Sequence, residues 1–271
     1  MRVRNFLGRW GLLIALVLAW EVSARLAGSV FFLPPGEILV HAWQLWLTGP
    51  AEQLWLTDAV YADVLPSLGR LFGGWLISAV LGVLIGLALG RSRRATEYFG
   101  PLLDFFRSLP TPALVPLFMV LFALGTPMQL ATIVFGTVFT VVLNTADGAG
   151  SVDPVKRHTA QAFRIGPWGW WTRIVLPAAS PKIFAGLRVS LSQALILMVV
   201  SEMVGSSSGL GYRLVYAQQQ FEFADLWAGI VLLALLGYLL NNALLAVQRR
   251  ALSWQRGAEN PENPARAKGR A

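Results

Sequence analysis

The chain has 271 residues, of which 55% are hydrophobic and 13% charged, and its mean hydropathy is +0.58. Soluble domains carry about 25% charged residues, so the composition excludes a soluble globular protein, a disordered chain and a fibrous repeat. There is no cysteine, which excludes disulfides and thiolate chemistry. Because one crossing helix needs about 20 residues, the length predicts an all-α, polytopic membrane protein with about six transmembrane helices.

Six apolar segments are expected to cross the membrane. In chain order they are Trp10–Ala27, Leu68–Leu89, Pro101–Gly125, Met128–Thr145, Ile183–Val204 and Leu226–Val247. The first follows three arginines and ends in small residues, so it is either a retained span or a cleaved signal peptide. Prolines within the third predict a kink or break near Leu109 to Pro112. The sequence thus predicts one transmembrane domain over residues 1–250, followed by a polar, disordered tail over residues 251–271.

Two features flank or line these spans. The segment FFLPPGEIL breaks the chain at Pro34 and Pro35 and begins an amphipathic stretch through Trp46, which lies either at the membrane interface or against neighbouring helices. The second span carries small residues at intervals of four, and such a stripe lets helices approach closely. It serves either internal packing or self-association. The stripe consists of Gly74, Ser78, Gly82, Gly86 and Gly90.

The charges predict the orientation. If the N-terminus is cytoplasmic, most of the 22 basic residues lie on the cytoplasmic side, as the positive-inside rule requires, and both termini are cytoplasmic. The basic residues assigned to that side are Arg2, Arg4, Arg9, Arg91, Arg93, Arg94, Lys156, Arg157, Arg164, Arg173, Lys182, Arg249, Arg250, Arg256, Arg266, Lys268 and Arg270. Their dispersal over four segments accounts for the net charge of +8 without a nucleic-acid partner.

The chain offers little catalytic chemistry of its own. It has no Gly-rich phosphate-binding motif with its lysine. His41 and His158 are predicted on opposite sides of the membrane and have no acid cluster beside them, which argues against a metal site. We therefore expect no enzyme activity, no cofactor and no metal in this chain. A transport subunit and a stand-alone secondary transporter or channel both fit this inventory.

The longest cytoplasmic segment covers about residues 151–182. A short helix is expected from Val155 and is ended by Gly166, and a second helical piece runs from Trp170 to Leu176 and is ended by Pro177. The aromatic side chains of this segment either fill a groove on a soluble partner or rest on lipid. They are Phe163, Trp168, Trp170 and Trp171.

Polar residues within the spans are candidates for the translocation path, because they are costly in lipid. Ser190 and Gln193 are three apart and share a helix face. Ser201 and Glu202 lie near the outer end of the fifth span. Glu202 is expected to face the path, to dock a partner, or to sit at the level of the lipid headgroups. The other polar residues are given structural roles: helix–helix hydrogen bonds for Asn241 and Asn242, and local ion pairs for Glu21 with Arg25 and for Asp104 with Arg107.

Several stretches resemble the inner-membrane permease subunit of ABC importers in the nitrate/sulfonate/taurine group. They are FLPPGEIL, SLGRLFGGWLISAVLGVLIGLALGRS, PLLDFFRSLPTPALVPLFMVLFALG, VLNTADGAGSVDP, IVLPAASPKIFAGLRVSLSQAL and VSEMVGSSSGLGYRLVYAQ. The resemblance covers roughly residues 31 to 250. It implies the permease fold of such importers, with a cytoplasmic coupling helix.

The resemblance also implies a set of ATPase-coupling residues. The family's loop carries Glu-Ala-Ala, then Gly, then Ile-x-Leu-Pro. Here Ala160, Gln161 and Ala162 occupy the Glu-Ala-Ala positions, so an acidic contact is missing, and Phe163 follows them. Gly166 and the Leu176–Pro177 end are retained, with a shorter spacing between them.

The implied assembly is a homodimer of six-span subunits in the inner membrane, in contact with lipid. Two further partners are implied: a cytoplasmic ABC ATPase dimer and an extracytoplasmic binding protein. The substrate path would lie between the two permease copies, and a small anion such as a sulfonate, taurine or nitrate is the expected solute.

Overall fold

The computed structural model describes residues 2–254, and within that range the chain forms helices and loops without any strand. A helix satisfies its backbone N–H and C=O groups within one segment, which lipid demands. The predicted all-α class is confirmed. The helices are α1 (Arg2–Ala27), α2 (Pro35–Leu47), α3 (Leu65–Gly90), α4 (Arg93–Ser108), α5 (Val115–Phe122), α6 (Thr126–Gly150), α7 (Pro154–Ala162), α8 (Pro167–Trp170), α9 (Leu176–Gly205), α10 (Leu210–Gln219) and α11 (Phe223–Ala251).

Four helical stretches are long and apolar enough to cross a membrane, and one bent pair of helices adds a fifth. The single stretches are Val60–Gly90, Thr126–Gly150, Pro167–Gly205 and Phe223–Ala251. They correspond to the predicted second, fourth, fifth and sixth spans and extend beyond the predicted bounds at both ends. The assignment of α1 as a sixth span stays a prediction, and residues 255–271 of the predicted tail lie outside the described residues.

The third predicted span is broken where its prolines lie. Helix α4 ends at Ser108, the backbone is extended at Leu109 and Pro110, and a 3₁₀ turn over Thr111–Leu114 leads into α5. The two helical parts are bent by 78°. Proline cannot donate a backbone hydrogen bond and clashes with the preceding turn, which explains the break and confirms the prediction.

Two other prolines do not end their helices. A π turn over Val60–Val64 precedes Pro66, and a second over Trp171–Val175 precedes Pro177. In each case the residue before the proline donates to the carbonyl five residues back, Leu65 to Val60 and Leu176 to Trp171. The wider turn relieves the crowding that a proline imposes on an α-helix. The prediction that Pro177 ends the second helical piece is therefore wrong, because that piece runs on into α9.

The chain divides into two compact units. The first contains the chain up to Arg70, together with Met119–Gln129 and Met198–Leu236. Its apolar core joins Trp46 of α2 to Val60, Val64 and Leu210. Helix α2 packs on its neighbours through Ile38 and Trp46, whereas Trp43 on the same helix is 61% exposed. One face of the predicted amphipathic stretch therefore packs within the chain, and the other face is open.

Helix α1 is tied to the first unit by its C-terminal half. Glu21 and Arg25 form the predicted ion pair at 2.6 Å. Glu21 also accepts a hydrogen bond of 2.8 Å from the backbone N–H of Gly36, at the start of α2. The indole of Trp20 lies 5.2 Å from that of Trp227, so α1 contacts both α2 and α11.

The second unit contains Leu71–Phe118, Leu130–Leu197 and the chain from Gly237 on. Within it, the small-residue stripe of α3 packs on α6. A Cβ added to Gly86 would lie 2.5 Å from Cβ of Thr145, and one added to Gly82 would lie 2.6 Å from Cβ of Val141. Such close approach is what small residues permit in lipid. The stripe therefore serves internal packing, and self-association through this face is not available.

This packing predicts opposite effects for two alanine substitutions in α3. Gly86→Ala should destabilise the protein by about 1–3 kcal/mol, because the methyl group overpacks the contact with α6. Gly69→Ala is the control, since nothing lies within 4 Å of its added Cβ. It should be neutral or stabilising by up to about 1 kcal/mol, as alanine favours a helix over glycine. Thermal unfolding in detergent measures both, and equal melting temperatures for the two variants would contradict the packing argument.

Candidate coupling and translocation sites

The first helix of the predicted coupling loop, α7, is closed at both ends. Asp153 caps its N-terminus by accepting a hydrogen bond of 2.8 Å from the backbone N–H of Val155. At its C-terminus Arg164 has a positive φ of 50°, and two backbone bonds close the turn: Arg164 N–H to Gln161 at 3.0 Å and Ile165 N–H to Ala160 at 2.9 Å. This pattern is a Schellman motif.

Gly166 has a different role from the one predicted. Helix α7 ends at Ala162, so Gly166 does not end it; Arg164 takes the left-handed position instead. Gly166 is the N-cap of α8, in extended conformation, and Pro167 follows at the first helical position. A Cβ at Gly166 would meet nothing within 4 Å. The chain's own backbone therefore does not require a glycine at this position.

The aromatic residues of the loop divide into two pairs. Trp170 and Trp171 pack on a cluster of Ala149, Val175, Ala179 and Ile183, which fixes the loop to the second unit. Phe163 and Trp168 are 77% and 80% exposed. Of the four aromatics predicted to meet a partner, only these two are free to do so.

The remaining predicted coupling residues differ in their exposure. Gln161, Ala162, Gly166 and Leu176 are exposed, Pro177 is half-buried, and Ala160 is buried. Ala160 occupies the position at which the family carries a glutamate. The side chain at 160 is buried, so no acidic group is presented there. Four basic residues of the loop are exposed. They are Lys156, Arg157, Arg164 and Arg173.

An ion pair holds the second half of the loop to α6. The Lys182 ammonium lies 2.6 Å from the Asp147 carboxylate, which joins α9 to the last turns of α6. From Pro167 the helix then continues without interruption to Gly205. The loop and the fifth span are therefore parts of one helical rod.

Two of the predicted path residues, Ser190 and Gln193, lie in the second unit and are hydrogen-bonded to neighbouring helices. The Trp75 indole N–H donates to Ser190 Oγ at 3.0 Å, and the Thr140 hydroxyl donates to Gln193 Oε1 at 2.9 Å. Neither Trp75 nor Thr140 was predicted from the sequence. A hydroxyl inside a span needs an acceptor, which points to Thr140, but only the packing of α6 on α9 identifies Gln193 as its partner.

The other two predicted path residues, Ser201 and Glu202, lie in the first unit and are fully buried. The Ser201 hydroxyl donates to the Met198 carbonyl of its own helix at 2.9 Å. The Glu202 carboxylate accepts from Arg70 Nη1 at 2.7 Å, from the Ser67 hydroxyl at 2.8 Å and from the Gly211 backbone N–H at 3.0 Å. Buried polar groups need such partners.

Arg70 extends this network to the loop before α10. It donates through Nη1 to the Ser208 carbonyl at 2.9 Å and through Nη2 to the Ser208 hydroxyl at 3.0 Å. Arg70 lies far from Glu202 along the chain and was not predicted as its partner. Its signal was present, however, because a basic residue inside an apolar segment needs an acidic partner.

A second charged cluster is centred on Arg213 of α10. Arg213 contacts the Asp63 carboxylate at 3.1 Å and the Asp225 carboxylate at 2.7 Å, and its guanidinium lies over the Trp46 ring at 5.3 Å. His41 Nε2 lies 2.6 Å from Asp225. The fold therefore neutralises Asp63 and Asp225 with one arginine.

The two neighbouring asparagines of α11 form different hydrogen bonds. Asn241 accepts a hydrogen bond of 2.9 Å from Arg188 Nε, so the predicted helix–helix bond is present and Arg188 has a partner. Asn242 donates to the Tyr238 carbonyl of its own helix at 2.8 Å. The prediction of a helix–helix bond for Asn242 is wrong, because its side chain folds back along α11.

Among the described residues there is no group of histidine and acidic side chains that would hold a metal ion. What the geometry provides is a set of apolar spans, one of them broken, and a loop that continues into a span as one rod. This arrangement defines a helical membrane protein with several spans.

Comparison with known proteins gives the family. Residues 78–253 match the family described as the binding-protein-dependent transport system inner membrane component. The chain is 31% identical over 250 residues to SsuC of Bacillus subtilis, named as an aliphatic sulfonates transport permease, covering 92% of this chain and 88% of SsuC. It is 26% identical to the taurine permease TauC of Escherichia coli, covering 90% and 87% of the two chains. The chain belongs to this permease family.

Solved structures agree on the fold. A chain of the inward-facing MetNI methionine ABC transporter superposes with a TM-score of 0.57 at 18% identity, covering 69% of this chain and 94% of that one. The chain is therefore an inner-membrane permease subunit of an ABC importer. It is a transport subunit and not an enzyme. Of the two functions left open by the sequence, the family supports a transport subunit over a stand-alone secondary transporter or channel.

The buried pair of Arg70 and Glu202 predicts a non-additive effect on stability. Glu202→Leu leaves the Arg70 charge buried and uncompensated, so it should lower the free energy of unfolding by about 3–5 kcal/mol. Combining it with Arg70→Met should cost less than the sum of the two single changes. Thermal unfolding of the four proteins in detergent gives the coupling. Glu52→Gln, at an exposed acid, is the control, and strict additivity would show that the pair is not coupled.

Proposed function

We propose that two copies of this permease form the path of an importer for a small anion, driven by an ATPase dimer that docks on the coupling loop. A binding protein on the outer side would deliver the solute. The observation that carries the docking proposal is the pair of exposed aromatics, Phe163 and Trp168. The other two aromatics of the loop, Trp170 and Trp171, are partly buried against the chain's own apolar cluster. Rigid, exposed aromatic side chains are typical anchors of protein interfaces.

The orientation we propose has both termini and the coupling loop in the cytoplasm. It rests on the distribution of basic residues, which follow the positive-inside rule only in this orientation. The same assignment places α10 and the Arg213 cluster on the outer side, where the binding protein would approach. Residues 1–250 then act as one permease domain.

The basic character of the loop suggests the chemistry of its partner. The family's acidic position is a buried alanine here, whereas Lys156, Arg157, Arg164 and Arg173 are exposed. Charge complementarity steers and orients association, so we propose an acidic rim around the ATPase groove that receives Phe163 and Trp168. The retained coupling residues, from Ala160 to Pro177, would then act together as one contact.

The continuous rod from Pro167 to Gly205 suggests how force reaches the path. A displacement of the loop cannot be absorbed by a flexible hinge at Pro177, because the helix does not end there. ATPase closure would therefore move α9, which carries Ser190, Gln193, Ser201 and Glu202, as one body. Rigid-body movement of helices between two arrangements is a common basis of alternating access.

We propose two roles for those four residues. Gln193 is only half-buried, and it would contact solute with Ser190 positioned beside it. Ser201 and Glu202 are fully buried, and they would hold the outer end of α9 through the bonds to Ser67 and Arg70. Exposed apolar residues of α3 and α11, such as Leu84 and Leu239, would face lipid or the second copy.

A small anion is the favoured solute because the relatives are named for such solutes. SsuC is named for aliphatic sulfonates, TauC for taurine, and CmpB of Synechococcus elongatus, 28% identical over 72% of this chain and 70% of its own length, for bicarbonate. Each carries an oxyanion group. The permease wall would then need only a few donors, with the binding protein selecting the solute.

Docking through the two aromatics can be tested by truncation. Phe163→Ala with Trp168→Ala should reduce ATP-driven uptake in proteoliposomes at least about tenfold, because interface aromatics carry about 2 kcal/mol or more each. Tyr238→Ala, an exposed aromatic on α11, is the control and should transport normally. Co-purification of the ATPase with each variant measures docking directly. Full ATPase binding by the double variant would contradict the proposal.

Contact between the ATPase and Gly166 can be tested by a substitution that leaves the fold of the permease undisturbed. Because a Cβ at this position meets nothing in the chain, and the backbone is extended there, Gly166→Val should insert and fold normally. If the ATPase approaches Gly166 closely, the variant should hydrolyse ATP without transport. We would measure both rates in the same proteoliposomes, and normal coupling would mean that the partner does not contact this position.

A further inference from the structure

The break in the third span lies next to two charged residues that the described part of the chain leaves largely exposed. Asp104 and Arg107 occupy the end of α4, just before the helix stops at Ser108. Their side chains are 60% and 56% exposed. They are three residues apart and therefore share one face of the helix.

That face differs from the two other faces of α4. Phe106 packs on α6, with its ring stacked on that of Phe139 at 5.7 Å. Leu102 and Phe105 form a separate apolar face, and Phe105 is 60% exposed. The helix thus presents a packing face, an apolar face suited to lipid, and a charged face.

Lipid tails are an unfavourable cover for the charged face. A single charge at the centre of a bilayer costs about 2.5–3.5 kcal/mol on insertion scales, and α4 with the following segment has the length and hydropathy of one broken span. Charged residues in such places face water-filled cavities and mark solute pathways. Broken spans mark solute sites in other transporters as well.

Arg107 also keeps its hydrogen-bonding capacity. Its one ion-pair contact, from Nη2 to Asp104 Oδ1, is 3.4 Å long, which is beyond the usual range for a charge-assisted bond. In contrast, Arg70 contacts Glu202 at 2.7 Å, and Arg213 contacts Asp225 at the same distance. A guanidinium has five N–H donors in a fork that matches an oxyanion, and that of Arg107 remains available.

We propose that Arg107 lines the translocation path and binds the oxyanion group of the solute, as the sulfonate, carboxylate or bicarbonate group passes the break in the third span. Asp104 holds the guanidinium loosely between passages, so that release is not prevented by tight binding. This assignment rests on the proposed importer of a small anion and adds the residue that recognises the charge.

The location of Arg107 can be tested without transport. The chain has no cysteine, so Arg107→Cys introduces the only thiol. In membranes containing the complete transporter, this thiol should react with a membrane-impermeant thiosulfonate reagent that carries a sulfonate group. Phe105→Cys is the matched control, since Phe105 is equally exposed in the chain but lies on the apolar face. It should stay unreactive. Equal labelling of both positions, or of neither, would overturn the placement of Arg107 on the path.

The role of Arg107 is tested by uptake of taurine, ethanesulfonate and bicarbonate into proteoliposomes that hold the permease, its ATPase and saturating binding protein. Arg107→Gln should lower maximal uptake at least about tenfold, and Arg107→Lys should retain an intermediate rate, because it keeps the charge without the fork. Arg93→Gln removes a charge from the exposed start of the same helix and should transport normally.

The outcomes separate this proposal from the one it rests on. Uptake by Arg107→Gln equal to that of the wild type would overturn the role of Arg107 while leaving the anion importer intact. If the wild type takes up none of the three anions in an ATP-dependent manner, the anion assignment fails for the permease and for Arg107 together. A loss of assembly by Arg107→Gln, seen as failure to co-purify with the ATPase, would instead assign it a structural role.

Discussion

A membrane interior offers no water to a polar group, and most of this structure can be derived from that single constraint. Backbone N–H and C=O groups must bond within each segment, so the described chain is helical. Charged side chains must meet a partner or an aqueous surface. The first unit meets the requirement by pairing: Glu202 with Arg70, and both Asp63 and Asp225 with Arg213. On α4 the pair of Asp104 and Arg107 is loose, at 3.4 Å, and exposed, so it needs an aqueous surface, which our proposal identifies as the solute path.

The same constraint explains how prolines are accommodated. Three prolines interrupt the third span and leave extended backbone at Leu109 and Pro110. Pro66 and Pro177 are instead preceded by π turns that keep the helix continuous. Proline therefore has two different effects in this chain. In the third span it breaks the helix beside charged residues, whereas at Pro177 the helix stays continuous and joins the coupling loop to a span. The first suits contact with a solute, and the second suits transmission of force.

The division of work with partner proteins follows from what the chain contains. It has no phosphate-binding motif, and its described residues hold no metal-binding cluster. It has a loop anchored by Trp170 and Trp171 with Phe163 and Trp168 exposed. Its family is that of binding-protein-dependent transport systems, and in our proposal an ATPase supplies the energy and a binding protein most of the selectivity. The permease itself contributes a set of closely packed helices. Contacts as tight as those at Gly82 and Gly86 leave little room for side chains to rearrange, so these helices would move as rigid bodies.

The sequence by itself determined the class, the approximate spans, the break in the third span and the family, because hydropathy, proline positions and local motifs depend on residues that are near in the chain. It also located the coupling loop, but it did not predict the end of α7 at Ala162 or the continuity through Pro177. Both depend on which turn geometry the tertiary packing favours. Only the tertiary structure paired Glu202 with Arg70, Gln193 with Thr140 and Asn241 with Arg188. Such partners lie far apart in sequence, and which of several polar residues meet is decided by the rotation and axial position of whole helices, which no local pattern records.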